Sequence, residues 1–179
     1  MSVFSNTSQN SAEDRARYAS AILDLLGNRQ PADVLRETPE AARRVITGLS
    51  TDQLRRPEQP GKWSIGHVLR HLADSEVVWG WRMRLILAQD RPPITGYDQD
   101  LWADRLHYAD ADAGDSLDAL RVLRRDNLKV IERATPEELE RVGVHSERGE
   151  ESVGYLMRLY AGHDVLHLNQ IERIRKATA

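Results

Sequence analysis

Gly162-His163-Asp164-Val165-Leu166-His167-Leu168-Asn169-Gln170-Ile171 stands in the middle of a long helical pattern near the end of the chain. The inward positions of that pattern, Val153, Leu156, Tyr160, His163, His167, Ile171 and Ile174, recur in steps of three and four and predict an α-helix over roughly residues 151–176. Two histidines occupy places where a core expects aliphatic side chains. Four residues apart, their imidazoles fall one turn from each other on one face, as two ligands of a single ion must. Taken alone, the pair is equally consistent with hydrogen-bonded core or surface histidines. Asp164 and Gln170 fall near the same face.

A partner for this face lies upstream, in Lys62-Trp63-Ser64-Ile65-Gly66-His67-Val68-Leu69-Arg70-His71-Leu72-Ala73-Asp74-Ser75-Glu76. Ser64 is placed to cap a helix predicted over Ile65 to Ala88, with Ile65, Val68, Leu69, Leu72, Trp79, Met83 and Ile86 as its apolar stripe. His71 falls on the flank of that stripe and His67 points further toward solvent, so His71 is the better third ligand. At 1.5 Å per residue His71 sits ~10 Å from the start of its helix and His167 ~15 Å from the end of the last one, so the two come level if the helices run antiparallel. Three neutral imidazoles suit zinc or nickel and leave at least one coordination position open.

The remaining chain supplies the other arms. Residues 11–27 read as a helix capped by Ser11, and residues 31–49 as a second segment with an expected break or kink at Pro39; the two count as one interrupted first arm. Arg56-Pro57-Glu58-Gln59-Pro60-Gly61 is a turn by composition. From Asp90 to Gly114 no periodicity persists, as expected of a crossover between arms. Leu117, Leu120, Leu123, Leu128 and Ile131 mark a third helix, and Thr135-Pro136-Glu137-Glu138 opens a short helical turn. With no convincing alternating strand, the expectation is an all-α fold: a four-helix bundle with one long crossover between its second and third arms.

Composition narrows the functional classes. The 179 residues form one expected domain, 1–179, with residues 1–10 as a flexible N-terminal tail. No cysteine is present, which leaves histidine and carboxylate as metal ligands. A net charge of -3 gives no basic excess for nucleic acid, and Arg121, Arg124 and Arg125 are expected on solvated helix faces. No apolar run suits a membrane, and the polar start lacks a signal-peptide pattern, so a cytoplasmic location is expected. His107 and His145, without partners at ligand spacing, are expected on the surface. Trp81 and Trp102 are candidate flank residues of a homodimer.

The two histidine motifs, in their order and separation, resemble the DinB/YfiT-like superfamily of metalloenzymes over nearly the whole chain. The resemblance implies up-down-down-up connectivity and a metal triad of His71, His163 and His167, commonly holding zinc or nickel. It also implies activities such as transfer of a low-molecular-weight thiol, hydrolysis or isomerisation. His67 departs from the acidic or polar residue common at its position, which leaves a fourth ligand or an altered pocket open.

One functional expectation is a divalent-metal-dependent enzyme acting on a small molecule, of thiol S-transferase or hydrolase type, in which the ion lowers the pKa of a thiol or water. Glu76 and Asp164 are its candidate catalytic residues, as general base or as partner of an imidazole. Glu76 is at least as well suited to pairing with an arginine of another helix. Trp79, Trp81, Tyr155 and Tyr160 can wall a pocket or fill a core. The alternatives are a non-catalytic metal- or ligand-binding stress-response protein, and a metal-free bundle whose histidines bond one another.

Overall fold

A computed structural model describes residues 11–178, and the tail expected over residues 1–10 lies outside the described residues. Helix α1 (Ala12–Leu26) opens on a capping box between Ser11 and Asp14. Helix α2 (Pro31–Ile46) is separate from it and runs through Pro39 without the break that the sequence left open beside a kink. The reason lies in the hydrogen-bond ladder. Pro39 has no N–H for the Leu35 carbonyl four residues before it, and Arg124 Nη1 donates to that carbonyl instead, at 2.5 Å.

A short helix α3 (Thr51–Arg55) leads to the turn before α4 (Ile65–Ala88), which Ser64 caps as expected. The crossover then carries strand β1 (Pro93–Ile94), helix α5 (Gln99–Arg105) and a 3-10 turn at Tyr108–Asp110. Helix α6 (Ala113–Ile131) begins on the Asp112 cap, and α7 (Pro136–Leu139) on the expected Thr135 turn. Strands β2 (Val142–His145) and β3 (Gly149–Ser152) precede the last helix, α8 (Val153–Thr178).

Two apolar clusters reveal the direction of each arm. At one end Leu35 of α2 packs with Met83 of α4, Leu128 of α6 and Leu156 of α8. At the other, Ala42 packs with Leu69, Leu117 and Ile171. Residue numbers rise together in α2 and α8 and fall together in α4 and α6, so the bundle is up-down-down-up. The parallel pair α4 and α6 is what requires a crossover the length of the bundle. Helix α1 is therefore no part of a first arm; it lies on the outside against α8. Gly162 permits that contact, since a Cβ there would stand 2.2 Å from the Ile22 carbonyl oxygen.

The three strands form a small sheet the sequence reading missed. In the order β1-β2-β3, β1 pairs parallel with β2 and β2 antiparallel with β3, in the register Val142↔Ser152 to His145↔Gly149. Strands of two to four residues are too short to register as alternation. They tie the crossover's entry to the segment before α8. Trp81 is exposed, whereas Trp102 is half-buried against Tyr97, ring centroids 4.6 Å apart, and belongs to the crossover's own packing.

Candidate metal centre

Between the two apolar clusters the bundle's middle is polar. Helix α4 brings His71 to one side, and α8 brings His163 and His167 to the other. Antiparallel packing levels them: along α4 the contacts run His71, Glu76, Trp79 while along α8 they run His163 and His167, Asp164, Tyr160. His163 Nε2 lies 3.0 Å from His71 Nε2 and 3.1 Å from His167 Nε2. The three residues form a group whose ligand atoms all lie within 4.8 Å of one another. Tetrahedral coordination at about 2.0–2.1 Å sets ligand nitrogens about 3.3 Å apart, so the spacing fits one ion.

The proton count supports the same fit. Burial, with the neighbouring imidazoles, holds His71 well below its ordinary pKa. Burial and the nearby Arg124 charge hold His163 at about 3, and burial and His163 hold His167 at about 3. All three rings are therefore neutral at pH 7. His167 Nδ1 faces Gln170 Oε1 at 2.8 Å, a contact that takes its one proton and leaves Nε2 a lone pair. A single N–H on His163 Nε2 can then satisfy one neighbour, not both. A cation placed among the nitrogens meets all three lone pairs at once.

The surroundings differ on each side. His71 lies against Trp63, with centroids 5.0 Å apart, and its Nε2 is 3.5 Å from Ser75 Oγ, which in turn pairs with the Tyr97 hydroxyl at 3.1 Å. Burial keeps Tyr97 protonated by raising its pKa. His163 opens on a pocket of about 80 Å³ between α1, α4 and α8, and His167 on a groove of about 1050 Å³ that also holds Trp63, His67 and His107. Gln99, from the start of α5, lines both. The crossover is thus the roof of the site as well as a connection. Tyr108 fixes it to α4 by donating to Asp74 Oδ2 at 2.6 Å.

Glu76 and Asp164 stand one layer further along the bundle, on either side of Arg124. Arg124 Nη2 is 2.8 Å from Glu76 Oε1 and Nη1 is 2.7 Å from Asp164 Oδ2, all three side chains being almost fully buried. Burial opposes the Arg124 charge, and the two carboxylates more than restore it. Burial raises the Glu76 pKa, although Arg124 and Asn127 pull it down. Neither carboxylate lines the pocket or the groove. The pairing of Glu76 with an arginine from another helix is as the sequence suggested, but that arginine is Arg124, which was expected on a solvated face.

His67 is half-buried, with Nδ1 on Ser64 Oγ at 2.9 Å, and is outside the three-histidine group. His107 is exposed at the groove. His145, expected on the surface, is 2% exposed; its Nδ1 accepts from the Glu147 backbone, and burial, with the Arg148 charge, holds it at about 3. Ser75, Arg82, Tyr97 and Gln99 were not singled out in sequence as site residues. Ser75 and Arg82 carried a signal, since with His71 they follow at i+4 and i+11 on one face.

Comparison with known proteins matches the DinB superfamily over residues 35–171, a span that includes all three histidines. A protein of Oceanobacillus iheyensis named "putative metal-dependent hydrolase" is 28% identical over 142 residues, 79% of this chain and 82% of that one. YfiT of Bacillus subtilis, with the same description, is 26% identical over 144 residues, 78% of this chain and 81% of its own. A solved YfiT structure, described as a probable metal-dependent hydrolase with an unusual four-helix bundle topology, has a TM-score of 0.73 at 23% identity. It covers 93% of this chain and 90% of that one, and speaks for the fold.

Proposed function

The chain belongs to the DinB superfamily, and from that footing we propose that it is a divalent-metal-dependent enzyme of hydrolase or thiol-transferase type, acting on a small molecule at an ion held by His71, His163 and His167. The observation that carries the reading is the convergence of three neutral Nε2 atoms, from buried His71 and His167 and half-buried His163, that cannot all satisfy one another. The donor set, three imidazoles in a chain without cysteine, suits zinc or nickel. When bound, the ion supplies Lewis acidity that makes a water or a low-molecular-weight thiol nucleophilic near pH 7.

The chain's own residues do the rest. His167 is oriented by Gln170, and His71 is held by contact with Trp63. The Ser75 and Tyr97 hydroxyls hold a proton beside the ligand nitrogens, at a site that two cavities reach. Tyr97 and Gln99 limit water from the crossover side. Glu76 and Asp164 are read as positioning residues that, through Arg124, fix the α4 and α8 backbones at the level of the ligands.

The test is turnover. Zinc- or nickel-loaded native protein is expected to hydrolyse small esters or amides, or to consume a thiol in the presence of an electrophile, with His163→Ala reducing the rate at least a hundredfold. A native protein that binds the metal and turns over neither substrate class supports a non-catalytic binding role instead.

A further inference from the structure

The pocket beside His163 has an unbalanced charge. Three guanidinium groups line it. Arg148 is paired with Glu151 through two contacts of 2.6 and 2.9 Å, and Arg15 faces Glu147 at 3.9 Å. Arg82 is 5% exposed and donates from Nη2 to the Thr95 carbonyl, while its Nε has no partner. No carboxylate among the described residues lies within ion-pair distance of it. The hydroxyl groups nearby offer no counter-charge, since burial raises the pKa of both Tyr97 and Tyr160 and keeps them neutral. A buried cation without an anion is a costly arrangement that a ligand can relieve.

The position of Arg82 gives that ligand a direction. Arg82 follows Ser75 by two turns on the same face of α4, and a helical side chain leans back toward its own N-terminus, here toward Ser75 and His71. The planar Arg82 guanidinium that lines the pocket matches a carboxylate in shape and charge. One uncompensated positive charge calls for a monoanion. The pocket, about 80 Å³, compares with about 10–15 Å³ for one water on the same measure, and so admits a fragment of a few heavy atoms.

We propose that this pocket is a carboxylate subsite: Arg82 receives a monoanionic carboxylate of the substrate, whose remaining atoms extend toward His163. The substrate class is thus a small carboxylic acid or a larger molecule with a short carboxylate arm. The inference rests on the metal-centre reading for its catalytic meaning, though the binding itself does not.

Calorimetric titration of the native chain, metal-free and zinc-loaded, with propionate, propionamide and inorganic phosphate tests it. Propionate is expected to bind the metal-free chain at least tenfold more tightly than propionamide. Arg82→Gln is expected to remove at least tenfold of that affinity while zinc stoichiometry stays unchanged. Should Arg82→Gln fail to fold, Arg82→Lys, which keeps the charge and loses the planar fork, is expected to weaken propionate binding, and the acid-against-amide comparison on native protein needs no variant. Equal binding of acid and amide, no binding of either, or undiminished binding in the folded Arg82 variants overturns the proposal. Phosphate bound more tightly than propionate overturns the assignment to a monocarboxylate. Native protein that binds propionate through Arg82 but no zinc sustains the subsite and removes the metal-centre reading, so the two fail separately.

Discussion

The bundle's middle holds two buried polar layers built from opposite kinds of groups. In the Arg124 layer every charge has a partner within the protein: two carboxylates flank one guanidinium, Asn127 adds a bond to Glu76 at 3.0 Å, and the spare Arg124 donor takes the carbonyl that Pro39 leaves free. In the histidine layer every ring is neutral, His163 Nε2 can donate to only one of its two neighbours, and Nδ1 of both His71 and His163 is unpartnered. The first layer balances its charges within itself, although Arg124 Nε has no hydrogen-bond partner, and it holds helices together. The second is open and asks for something from outside. A polar cluster's function is thus read from its residual valence, and burial alone, which the two layers share, does not distinguish them.

The sharpest way to break this contrast is Arg124→Ala. It leaves two carboxylates facing each other without a cation and frees the Leu35 carbonyl, and a loss of about 3–5 kcal/mol in unfolding free energy is expected from denaturant titration. A change below about 1 kcal/mol would mean the layer is not held by its charges.

The pH dependence of stability distinguishes the layers next. His163, His167 and His145 are held at about 3 in the folded chain, against about 6.5 when unfolded. A depressed folded pKa gives stability that is complete above pH 6.5 and is lost as the pH falls from there toward 3, because the unfolded chain takes up the proton first. Metal-free protein is expected to lose stability over this range, at about 1.4 kcal/mol per pH unit for a histidine that titrates alone, as His145 does outside the cluster. His145→Gln, outside the cluster, is expected to reduce the slope by one histidine's share, and a slope unchanged by it would contradict the burial of His145.

The smallest stability effect is expected in the open layer. His163→Leu in metal-free protein at pH 7.5 removes a ring whose nitrogens are poorly satisfied, and the change in unfolding free energy is expected within about 1 kcal/mol. Thermal melts with and without zinc then separate the roles: zinc raises the native melting temperature and leaves that of the variant where it was.

The sequence made the helices that carry the ligands legible because their stripes are long: α4 was placed at its observed bounds, and α8 within two residues at each end. His71, His163 and His167 stood out for the same reason, as polar residues at or beside apolar positions. What was illegible depends on contacts between distant segments. Arg124 belongs to the stripe Leu117, Leu120, Arg124, Leu128, Ile131, and Glu76 already suited an arginine of another helix, but only tertiary packing decides that Arg124 and not Arg121 or Arg125 supplies it. The passage of α2 through Pro39 follows from that same arginine. His145 is buried by the small sheet, whose strands are too short for periodicity to announce them.

The most direct test is the metal content of the open layer. Native protein, stripped with a chelator and equilibrated with zinc or nickel at pH 7.5, is expected to bind one ion per chain with submicromolar affinity. His71→Ala, His163→Ala and His167→Ala are each expected to abolish that binding, while His107→Ala and His145→Gln retain it. Native protein that binds neither ion more tightly than micromolar, or triad variants that bind as the native chain does, would contradict a three-histidine metal centre.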